Sequence, residues 1–237
     1  MNLRAAPRLQ QPQFFFALAL TVSIVAFWPQ LYSQLTTIDA PHLIHGLTAT
    51  AWMAVPVIQS WLAARGQIRA HRTLGRIWLL FAPIVVFGGL HMIQLMIRGY
   101  EENPDPLLMK FAFLDLAGSA LFVVLLALAV RSIRRRDVEA HVRFMTCTIL
   151  VGMEPAIERV FVFYLPRIPG FNDEFYPSLI VMEAIVLTLL IVDWRRARPL
   201  SGAYVTTLAF FTSVHLLATP LADSVTFQRV AIWFASI

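Results

Sequence analysis

The sequence predicts an all-α, polytopic membrane protein: seven transmembrane helices, a lead helix plus three hairpins, forming one integral membrane domain over residues 1–237. Three observations predict it. The chain is 58% hydrophobic and only 14% charged, with mean hydropathy +0.68, outside the range of soluble globular domains. Apolar runs long enough to cross a hydrocarbon core recur along its whole length. Finally, Lys and Arg alternate from one loop to the next, as they do in proteins oriented by the positive-inside rule. That alternation also accounts for the net charge of +5 and removes any need to invoke nucleic acid. The single cysteine, Cys147, excludes an internal disulfide.

The spans fall at about 14–34, 43–63, 75–97, 107–130, 143–165, 176–194 and 203–221. The first carries no ionisable group, and Trp28, Pro29 and Tyr32 suit its outer end. Arg4 and Arg8 precede it without a small-residue cleavage site, which predicts a retained helix rather than a removed signal peptide. Spans two and three form a hairpin over ARGQIRAHRTLGR, spans four and five over RSIRRRDVEAHVR, and spans six and seven over DWRRARPLSG. The N-terminal tail and these three tips hold fourteen basic residues, against four on the other side, namely Arg98, Lys110, Arg167 and Arg229. The N-terminus and the tips therefore face the cytoplasm, and the C-terminus lies outside. The residues after span seven, with Phe227, Trp233 and Phe234, are expected to form a short interfacial amphipathic helix.

The first two hairpins look like a diverged repeat. His45 stands 26 residues before His71, and Asp115 stands 26 residues before His141. Orientation then gives every buried polar residue a depth. His42, His45, His91, Asp115, Glu154, Glu158, Glu183 and His215 come from six spans and fall in the outer half of the membrane, with Arg159 beside them. The inner half is apolar down to the basic tips. Charges in hydrocarbon are costly unless paired or hydrated, so this asymmetry predicts one polar site open to the outside.

Several chemistries fit those residue types. His42 and His45 share a helix face and, with His91, His215 or Asp115, can complete a metal site; otherwise His42 caps the helix or reaches the headgroups. His71 and His141, in matching tips, can ligate haem, with His45 and His91 or His215 holding a second; alternatively both are interfacial residues bonding a loop carbonyl or lipid phosphate. Asp115, Glu154 and Glu158 are the candidate catalytic carboxylates. Pro155 removes a backbone hydrogen bond next to Glu154. Glu158 and Arg159 are adjacent and expected to point apart, so Arg159 is assigned to a structural ion pair with Glu154 or Asp115. Glu183 is read as a proton relay or as a partner of Ser178 or Thr188. Phosphate-binding loops, dinucleotide fingerprints, nucleophile elbows and HExxH motifs are absent from the sequence.

The pattern HLIHGLTATAW…HRTLGR followed by FLD…RRRDVEAHVRFM…PAIER resembles a family of bacterial multi-pass membrane proteins of unknown function. The matching positions are His45, Gly46, His71, Arg72, Asp115, His141 and Arg159. The resemblance implies a compact polytopic fold in the bacterial inner (cytoplasmic) membrane. The tip histidines are also loosely similar to those of small b-type cytochromes and oxidase-assembly membrane proteins.

Three functions follow as expectations. The first is a redox protein binding haem b or a divalent metal such as zinc, through His45, His71, His91 and His141, with a respiratory or redox membrane partner. The second is an intramembrane metal-dependent hydrolase of a lipid-like substrate, resembling in outline the seven-helix ceramidase and adiponectin-receptor-like hydrolases. The third is a proton-coupled carrier or sensor built on Asp115, Glu154 and Glu183.

Overall fold

The computed structural model describes residues 12–165, 167, 169, 171 and 173–237. Arg4 and Arg8, which contribute to the expected orientation, lie outside the described residues. Among the described residues all regular structure is helical. The chain divides into two compact units, Met1–Gly88 and Gly89–Ile237.

The first unit holds α1 (Pro12–Ala26), a 3-10 turn (Tyr32–Gln34), α2 (Ala40–Ala64) and the first part of α3 (Ile68–Glu102). The apolar run that predicts a helix to residue 34 breaks early: α1 closes at Ala26, just before Pro29. It packs along α2; Phe16, Ala19 and Ala26 of α1 and Leu31 after it are buried, as are Trp52, Met53 and Val55 of α2. Gly46 permits the approach, since a Cβ there would lie 2.6 Å from Leu31 Cδ2. Tyr32 and Thr50 lock it through a hydroxyl–hydroxyl bond of 2.6 Å.

The second unit contains the rest of α3, then α4 (Pro106–Arg134), α5 (Val138–Tyr164), α6 (Phe175–Arg195), α7 (Gly202–Ala222) and α8 (Val225–Ser236). Its centre is α5, which packs against α4, α6 and α7 and buries Cys147, Thr148, Ile149, Leu150 and Ala156 completely. The C-terminal α8 does more than lie on a surface. Ala231 and Ala235 join Ile93, Ile97, Met109, Ala112 and Ala222 in a buried cluster. Arg98 donates twice to the Ala235 carbonyl, at 2.9 and 2.7 Å, satisfying an orphan acceptor at the helix end. Val225, Val230 and Trp233 remain exposed on its other face.

Among the described residues, five helices are long and apolar enough to cross a membrane: α2, α3, α4, α6 and α7. The other two expected spans differ for separate reasons. Over the described residues α1 runs for 15, fewer than the ~20 that a bilayer core requires. Helix α5 is long enough at 27 residues, but it carries Arg143, Glu154, Glu158 and Arg159. Those groups are tolerated because neighbouring helices surround α5.

All three hairpin tips close the same way. The backbone N–H groups of Gln67, Asp137 and Arg198 donate to the carbonyls of Leu62, Ser132 and Asp193, and the residue before each donates to the next carbonyl along, that of Ala63, Ile133 and Trp194. This is the six-to-one and five-to-two bonding that ends many helices. It requires a left-handed residue, supplied by Gly66 (φ 72°), Arg136 (φ 64°) and Ala197 (φ 51°). The first two tips match further. His71 Nδ1 bonds the Gln59 carbonyl at 3.1 Å and His141 Nδ1 bonds the Ala129 carbonyl at 3.0 Å, each twelve residues back. Every one of these bonds is repeated at an offset of 70 residues, which supports the repeat suggested by the spacing.

Candidate functional site

Polar side chains expected to gather as metal ligands instead have local partners. At the start of α2, Asp39 caps the helix by accepting from the His42 N–H at 3.1 Å, and His42 Nδ1 lies 2.7 Å from Asp39 Oδ2. The hydrogen bonds from His42 hold the exposed Asp39 carboxyl below its usual pKa. His42 thus supplies the N–H that Asp39 caps and pairs with it through its ring; of the roles open to it from sequence, this comes nearest to the helix-end one. His45 lies one turn further on, against Gly88 of α3, where an added Cβ would come 3.2 Å from Nδ1.

In the second unit, His91 is exposed and pairs through Nδ1 with Gln94 Oε1 at 3.3 Å; Gln94 in turn donates to the Phe234 carbonyl. His215 Nδ1 lies 3.2 Å from Glu183 Oε2, joining α7 to α6. Tyr176 completes this pair: its ring centroid is 5.4 Å from that of His215, and its hydroxyl bonds Thr219. Among the described residues there is no group of three or more His, Cys, Asp or Glu side chains arranged to hold a metal ion.

The structure does bring the carboxylates together. Asp115 of α4 lies within electrostatic reach of Glu154, Glu158 and Arg159 of α5. Helical spacing explains the α5 contribution, because residues 154 and 158 stand one turn apart on one face. Glu154 is 2% exposed, and Ser178 of α6 donates to its Oε1 at 2.7 Å. Ser178 thus serves Glu154, not Glu183 as one sequence expectation had it. Arg159 departs from the expectation that it would point away from Glu158, while its charge also reaches Asp115 and Glu154. Despite adjacency, its guanidinium pairs directly with Glu158, and it also donates to the Pro155 carbonyl at 3.1 Å. Side-chain length explains this: a long flexible arginine folds back along its own helix, which a Cβ direction alone does not anticipate.

A second charged group lies in the same unit at the hairpin tips. Arg143 of α5 approaches Asp193 of α6 at 2.7 Å and Glu139 at 2.9 Å, and Arg198 flanks both acids at 3.5 and 3.7 Å. The Arg143–Asp193 approach is close but not aligned as a hydrogen bond, so it acts as an ion pair. From sequence Arg143 is one of the tip arginines, and Asp193 carries no assigned role. The available signal was two opposite charges at equal depth on adjacent antiparallel spans.

The family model described as "Predicted membrane protein (DUF2306)" matches residues 42–194, more than half of the chain. No curated protein and no solved structure matches it.

Proposed function

The chain belongs to the DUF2306 family of predicted membrane proteins, and from that premise we propose that it is a proton-coupled carrier working through the carboxylate site of its second unit. In this reading α1 and α5 join the five apolar helices to make seven spans, with the tips in the cytoplasm of a bacterium and the carboxylates in the outer half of its inner membrane. Lipid surrounds the bundle through the large apolar side chains exposed on α3, α4, α6 and α7.

The observation that carries the reading is the gathering of Asp115, Glu154 and Glu158 around Arg159. Three carboxylates facing one guanidinium leave excess negative charge when all are ionised. Inside a bilayer each uncompensated charge costs several kcal/mol, so protons or a small cation must share the site. A group that binds protons at that depth can exchange them with one side and couple the exchange to a solute. Asp115 and Glu154 are the carriers in this scheme, and Arg159 sets the charge balance.

Reconstituted liposomes with an internal pH dye test this directly. Under imposed pH, K+ and Na+ gradients the protein should move protons, and D115N or E154Q should lower the flux at least about tenfold, the effect of losing ~1.4 kcal/mol of a required interaction. Flux equal to that of empty liposomes under every gradient would refute the carrier.

A second reading keeps haem, with a redox partner in the membrane. It is favoured by the bonds from His71 and His141 to carbonyls, which place the proton on Nδ1 and the lone pair on Nε2, as ligating histidines require. Oxidised and dithionite-reduced visible spectra separate the two readings, and elemental analysis of the same sample addresses zinc and the hydrolase. A Soret band with sharpened reduced bands favours haem; a colourless, metal-free sample favours the carrier.

A further inference from the structure

The two hairpin tips of the second unit are tied into one charged surface. Arg143 of α5 reaches Asp193 of α6 at 2.7 Å, and Arg198, just beyond α6, lies 3.7 Å from Glu139 at the start of α5. These contacts commit the acids. Glu139 and Asp193 face Arg143 and Arg198, and Asp137 caps α5 by accepting from the Ala140 N–H at 2.9 Å. Against these three acids stand eight arginines within residues 131–143 and 193–198. Six of them, Arg131, Arg134, Arg135, Arg136, Arg195 and Arg196, are exposed. Arg136 is held at φ 64°, where the matching turn of the first hairpin has Gly66 at φ 72°. Glycine adopts that conformation without steric cost and a residue with a Cβ does not, so a long cation occupies the position where the turn favours no side chain. Large apolar groups border the arginines: Trp194 and Leu200 are each 76% exposed, and Val138 is 60% exposed.

We propose that this surface binds the phosphate of an anionic phospholipid from the surrounding bilayer, with Arg135, Arg136, Arg195 and Arg196 holding the headgroup and Trp194 seated beside it. Guanidinium groups present paired donors that match phosphate oxygens. Clusters of basic residues directly beyond a spanning helix attract anionic headgroups, and α4 and α6, which end in these arginines, are both long and apolar enough to cross a membrane. Topological bias asks only for basic residues in such loops. It does not ask for one at the left-handed position of the turn. The apolar neighbours choose between sources of phosphate: a free phosphate in water gains nothing from an exposed tryptophan and leucine, whereas a lipid brings glycerol and acyl chains that cover them. The surface stands whether the protein carries protons or haem.

The test uses the full chain in phosphatidylcholine nanodiscs doped with a brominated lipid, whose bromines quench nearby tryptophan. The Trp194 signal is the difference between the native chain and W194F. Brominated phosphatidylglycerol should quench it at a mole fraction at least about threefold lower than brominated phosphatidylcholine, since each arginine near an anionic headgroup favours it by about fivefold. Salt at about 1 M, where the Debye length is about 3 Å, should remove most of that preference. Arg136→Gly should lower the preference by about twofold or more with the fold intact, because the first hairpin closes the same turn on Gly66. R195Q/R196Q should lower it further. Equal quenching by the two lipids, or a preference that both variants leave unchanged, overturns the proposal. Release of the quench by inorganic phosphate at constant ionic strength overturns it too, by making free phosphate the occupant. If R195Q/R196Q does not fold, Arg136→Gly decides alone.

Discussion

Replacing Asp193 with asparagine would remove one member of the ion pair that ties α5 to α6. Arg143 and Asp193 are only 11% and 9% exposed at their side chains, and their charged atoms are 2.7 Å apart. Removing one partner of a buried pair leaves the other charge uncompensated, at a cost of about 3–5 kcal/mol. Here Glu139 still reaches Arg143 at 2.9 Å, but it is 51% exposed and therefore largely screened by water. Such half-exposed pairs contribute about 0.5 kcal/mol. The expected loss for D193N is accordingly roughly 3 kcal/mol, and Arg143→Met should cost about as much. The double variant should recover part of this, because no unpaired charge is left behind, giving a coupling of about 2 kcal/mol. Unfolding in graded SDS, followed by tryptophan fluorescence with Trp194 as a neighbouring reporter, measures all three. Single variants within about 0.5 kcal/mol of the native chain, or a double variant equal to the sum of the singles, would refute the assignment of this pair as a helix clamp.

The tip histidines make a parallel case. His71→Ala and His141→Ala each remove a bond to a helix carbonyl, and each should destabilise its hairpin by about 1 kcal/mol, seen as faster amide exchange near Gln59 or Ala129. If haem is bound there, the same variants should abolish the Soret band. At the start of α2 the dependence is on pH. The folded state holds the Asp39 carboxyl below its ordinary value of 3.8, so its contribution is present above that value and lost as pH falls through the lowered folded value. Amide exchange at His42 should therefore accelerate in acid below about pH 4, and Asp39→Asn should flatten that response.

How much was legible in sequence depended on whether the signal was local. Helix positions followed from apolar runs and the hairpin tips from basic turns, since both come from short-range chemistry. The repeat was visible in the equal spacing of His45 to His71 and Asp115 to His141, and the matching turn bonds extend it. Helix α1 was overdrawn because an apolar composition does not register that the chain turns before Pro29. The partners of single polar residues were less legible. Ser178, Glu183 and Arg159 each had several candidates in reach by depth alone, and depth does not say which way a helix is rotated.

By itself, then, the sequence determined a helical membrane protein with ionisable groups in its spans, because hydrophobicity and helical periodicity are written residue by residue. Only the tertiary structure decided that Glu154 takes its hydrogen bond from Ser178, that His215 meets Glu183, and that Arg143 meets Asp193. Those pairings depend on the rotation of each helix about its axis. That rotation is fixed by the packing of α4, α5, α6 and α7 together, through contacts between residues far apart in the chain.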